Sequence, residues 1–165
     1  MPPRSIPGFY EPFNAISHLL GALVFAVLSI WLIRSARGEG WRVAAYATYA
    51  FGTVFLLSMS GVYHMLTEGG TARNVLGRLD LAGIFLLIVS THTPIQAMYF
   101  RGATRRLVIA IMWAIAVTGT VLFSVFYSSI PTDLKTATFL VLGWIGGMGA
   151  VEAERWGAWV SAWQG

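Results

Sequence analysis

Residues 78–100, RLDLAGIFLLIVSTHTPIQAMYF, decide the fold. From Leu79 to Phe100 the only charged side chain is Asp80, and the run meets the ~20 residues that a helix needs to cross ~30 Å of hydrocarbon. A charged group at the membrane centre costs at least ~2.5 kcal/mol, so a carboxylate at the mouth of such a run reads as paired or functional. Four further stretches free of Asp, Glu, Lys and Arg lie on either side, at 14–33, 43–66, 107–127 and 136–151. The last is at the short limit for crossing.

Composition agrees with the pattern. Of the 165 residues 56% are hydrophobic and only 11% charged, with mean hydropathy +0.68, whereas a soluble surface needs roughly a quarter charged residues. The expected fold class is therefore all-α, a polytopic membrane helical bundle with five visible spans in a single domain over 1–165. The connections, 34–42, 67–78, 101–106 and 128–135, are short enough to send each helix back antiparallel to the one before. Met1 to Pro12 is polar and Pro-rich, so no cleavable signal peptide is expected and the first span is retained. After Val151 the apolar pattern is interrupted by Glu152, Glu154 and Arg155. The tail 152–165 reads either as an interfacial segment, with Trp156, Trp159 and Trp163 at the headgroup boundary, or as the start of a truncated sixth span.

The chain has no cysteine, which excludes thiolate ligands and leaves His, carboxylate and water for any transition metal. A pI near 9.9 comes from Arg in short loops and gives no reason to expect a nucleic-acid partner; membrane lipids are the expected neighbours. Seven basic residues sit in or beside the 34–42 and 101–106 loops, counting Arg155, against four (Arg4, Arg73, Arg78, Lys135) on the other side. By the positive-inside rule that asymmetry puts the N-terminus outside.

The polar residues of the first three spans gather at one depth. At 1.5 Å per residue, His18 near the start of the first span, His64 near the end of the second and Asp80 at the mouth of the third fall within roughly 6 Å along the membrane normal. Ser60 and His64, four apart, share a helical face, as do Glu11, Asn14 and His18. This spacing lets His64 bind a metal while Ser60, one turn deeper, addresses a metal-bound water or an oxyanion. Each residue also has a plainer reading. Ser60 fits back-bonding to the Leu56 carbonyl, His64 an interfacial histidine, Asp80 an ion pair with Arg78 or a helix N-cap, Glu11 a helix start, and His18 a structural hydrogen bond. His92 lies ~18 Å deeper than Asp80, too far for the same site, and with Thr91, Thr93 and Pro94 is expected to relieve a proline-kinked helix. Gly143 and Gly147 form a GxxxG, a weak signal for a homo-oligomer.

Four pieces, Glu11-Pro-Phe-Asn14-Ala-Ile-Ser-His18-Leu-Leu-Gly21, Ser60-Gly-Val-Tyr-His64, Arg78-Leu-Asp80 and Thr91-His-Thr-Pro94-Ile, in this order over residues 9 to 150, resemble the hemolysin III family, the bacterial branch related to progestin and adipoQ receptors and to alkaline ceramidases. The resemblance implies a seven-helix bundle in a bacterial plasma membrane, with a cytoplasmic N-terminus and a zinc ion near that face. On that pattern His64 is a zinc ligand and Ser60 and Asp80 are its supporting or catalytic neighbours; Glu11, Asn14, His18 and Arg78 are read from their placement as the supporting wall. It also implies two more ligands from an HxxxH, which this sequence lacks, and it differs in carrying Leu81 where a histidine is common and His92 where a tyrosine is. The implied activity is zinc-dependent hydrolysis of a lipid amide or ester. The alternatives are membrane permeabilisation, a receptor-like role, or an inactive fragment.

Overall fold

A computed structural model describes residues 9–163, with side chains through residue 147. It holds five α-helices in chain order: α1 Pro12–Ser35, α2 Gly40–Met65, α3 Thr71–Tyr99, α4 Gly102–Val125 and α5 Thr132–Trp163. Helices α1 to α4 are long and apolar enough to cross a membrane. The protein is an all-α, polytopic integral membrane bundle.

Pro12 opens α1 at a position where its missing N–H costs nothing and its fixed φ already suits a helix. Helix α3 begins at Thr71, eight residues before the apolar run, because Arg73 and Asn74 are helical although their polarity reads as loop. This start removes the N-cap reading of Asp80, which lies in the third turn while Gly70 holds the cap position. At its far end α5 keeps its helical backbone past Val151 to Trp163, so Glu152, Glu154 and Arg155 do not end the helix. The expected interfacial placement of Trp156, Trp159 and Trp163 lies outside the described side chains.

Helix α3 is the axis of the bundle. Helices α2, α4 and α5 pack on it, and α1 packs on α2. Gly83 permits the close approach of α2 and α3: a Cβ there would lie 2.9 Å from Leu56 Cδ1 and 3.2 Å from its Cα. On the opposite side Phe85 and Val89 are buried with Ala116 of α4, and the ring of Phe85 meets Phe123 and Phe139 edge-on at 5.2 and 5.0 Å. Such aromatic pairs add about 0.5–1.5 kcal/mol beyond the area they bury. The outer faces remain apolar, with Leu20, Leu23, Val27 and Trp31 on α1, Ile111 and Ile115 on α4, and Leu140 and Trp144 on α5 exposed. Exposed apolar faces of this size suit a hydrocarbon surrounding and not water.

Candidate functional site

The polar residues of α1, α2 and α3 meet at one end of the bundle. Backbone bonds set the register first: Tyr10 N–H donates to the Met65 carbonyl (3.2 Å) and Glu11 N–H to the His64 carbonyl (3.0 Å). Both carbonyls belong to the last turn of α2, where a helix leaves acceptors without intrahelical partners. The residues before α1 therefore cap α2, and Glu11 is fixed against His64.

The Glu11 carboxylate is the hub. One oxygen is 2.8 Å from His64 Nδ1 and accepts from Asn14 Nδ2 at 2.8 Å; the other accepts from Arg73 Nη2 at 2.9 Å. Arg73 is buried, donates through Nη1 to the Leu66 carbonyl, and lies between the rings of Tyr10 and Tyr63 at 4.9 and 4.5 Å. Burial alone would raise the Glu11 pKa, but hydrogen bonds from Arg73 and Asn14 and the nearby His64 outweigh it and hold the carboxyl below its usual range.

A second link lies one turn deeper. His18 Nδ1 is 2.8 Å from Ser60 Oγ, and Ser60 is buried. Gly61 makes this approach possible, since a Cβ there would fall 2.7 Å from Leu19 Cγ and 3.2 Å from its backbone nitrogen. The His18 and His64 rings stand edge to face with centroids 5.6 Å apart. Asp80, half-buried on α3, has Ser60, His64 and His18 as its neighbours.

The expected residues thus divide. Ser60, His64, Asp80, Glu11, Asn14 and His18 converge, and Ser60 reaches across to His18 instead of back to Leu56. Arg78 does not join them. It is exposed, donates to the Ser124 carbonyl, and lies over the Tyr127 ring at 5.6 Å, so it makes no pair with Asp80. The cation that enters the cluster is Arg73, which polarity alone assigned to a loop. Its signal was its spacing: Arg73 and Asp80 are seven residues apart, two helical turns on one face.

His92 also departs from expectation. Thr91 and Thr93 bond back to the carbonyls of Leu87 and Val89, as side chains near a helix-interior proline do. The His92 ring instead turns to α5, where a Cβ on Gly146 would lie 2.4 Å from Nε2. Gln96, one turn on, donates to the Gly146 carbonyl at 2.8 Å. Gly143 and Gly147 have open space at the Cβ position, which neither supplies nor removes a dimer contact.

The donor set bears on a metal. With Nδ1 committed to a carboxylate, His64 presents Nε2, the arrangement in which a second carboxylate fixes the tautomer of a metal-binding imidazole. Among the described residues no group of three or more His, Cys, Asp or Glu side chains is placed to hold a metal ion. The described residues offer one oriented imidazole and its carboxylate support, without a complete coordination shell.

Comparison with known proteins places this chain beside one family. The model of the haemolysin-III related family matches residues 9–164. A hemolysin-3 homolog from Bacillus subtilis (strain 168) is 28% identical over 137 residues, which cover 82% of this chain and 63% of that protein. Hemolysin-3 from Bacillus cereus is likewise 28% identical over 137 residues, 82% of this chain and 62% of its own length. The chain therefore spans less than two thirds of the curated relatives it matches. No solved structure matches it.

Proposed function

This chain belongs to the haemolysin-III related family, and we propose that it carries the Ser60, His64 and Asp80 part of an intramembrane hydrolase site acting on an amide or ester of a lipid. The observation that supports this reading is convergence: a serine, two histidines and a carboxylate from three helices meet beside a fully partnered carboxylate–guanidinium hub. In an apolar span each of these groups is costly, and a cluster is retained for chemistry more readily than for stability. A bacterial plasma membrane is the compartment we assign.

The roles follow from the bonds. With the His18 proton on Nδ1, its imidazole donates to Ser60 Oγ and the serine hydroxyl donates to Asp80, from which it would turn to a developing oxyanion. Asp80 is the carboxylate placed to take a proton from an attacking water. Glu11 accepts from His64 Nδ1 and leaves Nε2 as a lone-pair donor. Zinc bound there would lower the pKa of its water, and its remaining ligands would have to come from beyond the described residues.

The test pairs activity with metal content. Purified protein should release fatty acid from a lipid amide or ester, Asp80→Asn and Ser60→Ala should lower the rate by about 10²-fold or more, and His64→Ala should bind less zinc than wild type. Equal zinc in wild type and His64→Ala, with equal hydrolysis in all variants, sinks the proposal. A second reading comes from the relative's printed name, Hemolysin-3, which points to membrane permeabilisation. The core around Phe85, Val89 and Phe139 is apolar, whereas a pore needs polar lining. Liposome leakage that survives alanine at Ser60, His64 and Asp80 together would favour this second reading.

A further inference from the structure

Beside the hub lies a polar cavity of about 290 Å³ lined by Tyr63, Glu68, Gly69, Arg73, Asn74 and Tyr127. Tyr127 is one of its walls, and two cations outside the lining lie on its ring, Lys135 at 4.6 Å and Arg78 at 5.6 Å. Neither cation makes an ion pair among the described residues, and each spends few of its donors. Lys135 Nζ donates to the Tyr127 carbonyl at 2.7 Å and Arg78 to the Ser124 carbonyl, which leaves most of their N–H groups unused. Arg73, in contrast, is occupied by Glu11 and backbone carbonyls. The acidic group on this rim, Glu68, hydrogen-bonds with Tyr10 and makes no ion pair with either cation among the described residues.

We propose that Arg78 and Lys135, held over Tyr127, receive the phosphate of an anionic glycerophospholipid whose headgroup lies at the Tyr127 edge of this cavity. Guanidinium groups match phosphate geometry, and a lysine beside one adds a movable point charge. The placement also selects the lipid. Arg78 precedes Asp80 by two residues, ~3 Å along the helix, and Tyr63 adjoins His64, so a phosphate here sits on the aqueous side of the Ser60–Asp80 level. The acyl ester carbonyls of a glycerophospholipid, one glycerol unit deeper, then lie at that level. The choice of substrate rests on the hydrolytic reading above; the headgroup site does not.

The experiment uses the full chain in nanodiscs of phosphatidylcholine doped with phosphatidylglycerol, with retained lipid read by native mass spectrometry and stabilisation read by melting in detergent. Wild type should retain phosphatidylglycerol over phosphatidylcholine, and the pair Arg78→Gln with Lys135→Gln should lose that preference by roughly tenfold or more. Removing two exposed charges at the opposite end, Arg34→Gln with Arg37→Gln, should leave it unchanged. The charge-keeping exchange Arg78→Lys with Lys135→Arg should retain it and guards against a folding artefact. Retention undiminished in the glutamine pair, or lost equally in the Arg34 and Arg37 control, overturns the proposal. So does inorganic phosphate that stabilises as well as the lipid, because the site would then take a free anion. Selective binding without hydrolysis would defeat the hydrolytic reading alone. Hydrolysis indifferent to the glutamine pair would defeat the headgroup assignment alone.

Discussion

Two polar clusters sit on α3 twelve residues apart, and they are built on opposite terms. Around Asp80, the Arg73 and Glu11 charges are matched and Ser60, His18 and His64 all have hydrogen-bond partners. Around His92 the contacts are uncharged, and two deeply buried atoms, His92 Nδ1 and Gln96 Oε1, have no hydrogen-bond partner among the described residues. The first cluster spans three helices and adjoins a polar cavity; the second wedges α3 against α5 through Gly146. A buried group kept in spite of its cost needs either partners or a reason, and here one cluster has its polar atoms matched while the other, beyond the Gln96 bond to the Gly146 carbonyl, leaves two buried atoms unmatched among the described residues and serves mainly to pack α3 on α5. The two should therefore respond oppositely to losing their polar atoms.

Arg73→Ala should produce the largest effect. It leaves the half-buried Glu11 carboxylate without its cation and opens the Leu66 carbonyl; a fully buried pair broken from one side costs about 3–5 kcal/mol, and with Glu11 partly exposed the loss should be at the lower end, about 2–3 kcal/mol. Thermal unfolding in detergent should show a loss of that order; a shift below ~1 kcal/mol would place the pair with ordinary surface salt bridges. Gly146→Ala comes next, at about 1–3 kcal/mol, since the new methyl would drive into the His92 ring. In a His92→Ala background the same substitution should cost little, and a cost that persists would mean that the glycine serves something other than the histidine.

How much of this was legible depended on range. Helices α1, α2 and α4 follow from apolar length, because in hydrocarbon every backbone group must be satisfied within a helix and hydropathy reads that demand directly. The start of α3 was not legible, since Arg73, Asn74 and Arg78 look like a loop until a partner for the buried Arg73 is known. That partner is Glu11, 62 residues earlier, and no local pattern marks it. Ser60, His18, His64 and Asp80 could be gathered from depth alone. Depth alone favours the wrong arginine, because Arg78 lies ~3 Å from Asp80 along the helix and Arg73 ~10 Å; direction around the helix decides, and Arg73 shares the face of Asp80.

The acid response should separate the clusters next. The folded Glu11 pKa is lowered, so its contribution is whole above the ordinary glutamate value of ~4.3 and is lost as pH falls through the folded value. Wild type should melt earlier as the solution is acidified through that window, and Glu11→Gln, already lower at neutral pH, should show a flatter profile. If the two profiles stay parallel, another carboxylate carries the acid sensitivity.

The smallest change is expected at His92→Phe, and its sign is the sharper test of the contrast. Phenylalanine keeps a flat ring of similar bulk against Gly146 while deleting the Nδ1 atom that has no partner. An unpartnered buried polar group costs about 1–3 kcal/mol, whereas the larger ring adds some crowding where a Cβ would already lie 2.4 Å from the imidazole. The two terms oppose each other, so the melting temperature should be unchanged or slightly raised. The same replacement at His64 removes the hydrogen bond to Glu11 and should lower it clearly. A substantial loss at His92→Phe would mean that Nδ1 has a partner after all, a water or a polar group brought to α5 from outside the described residues, and the deep cluster would then join the first as a site instead of a wedge.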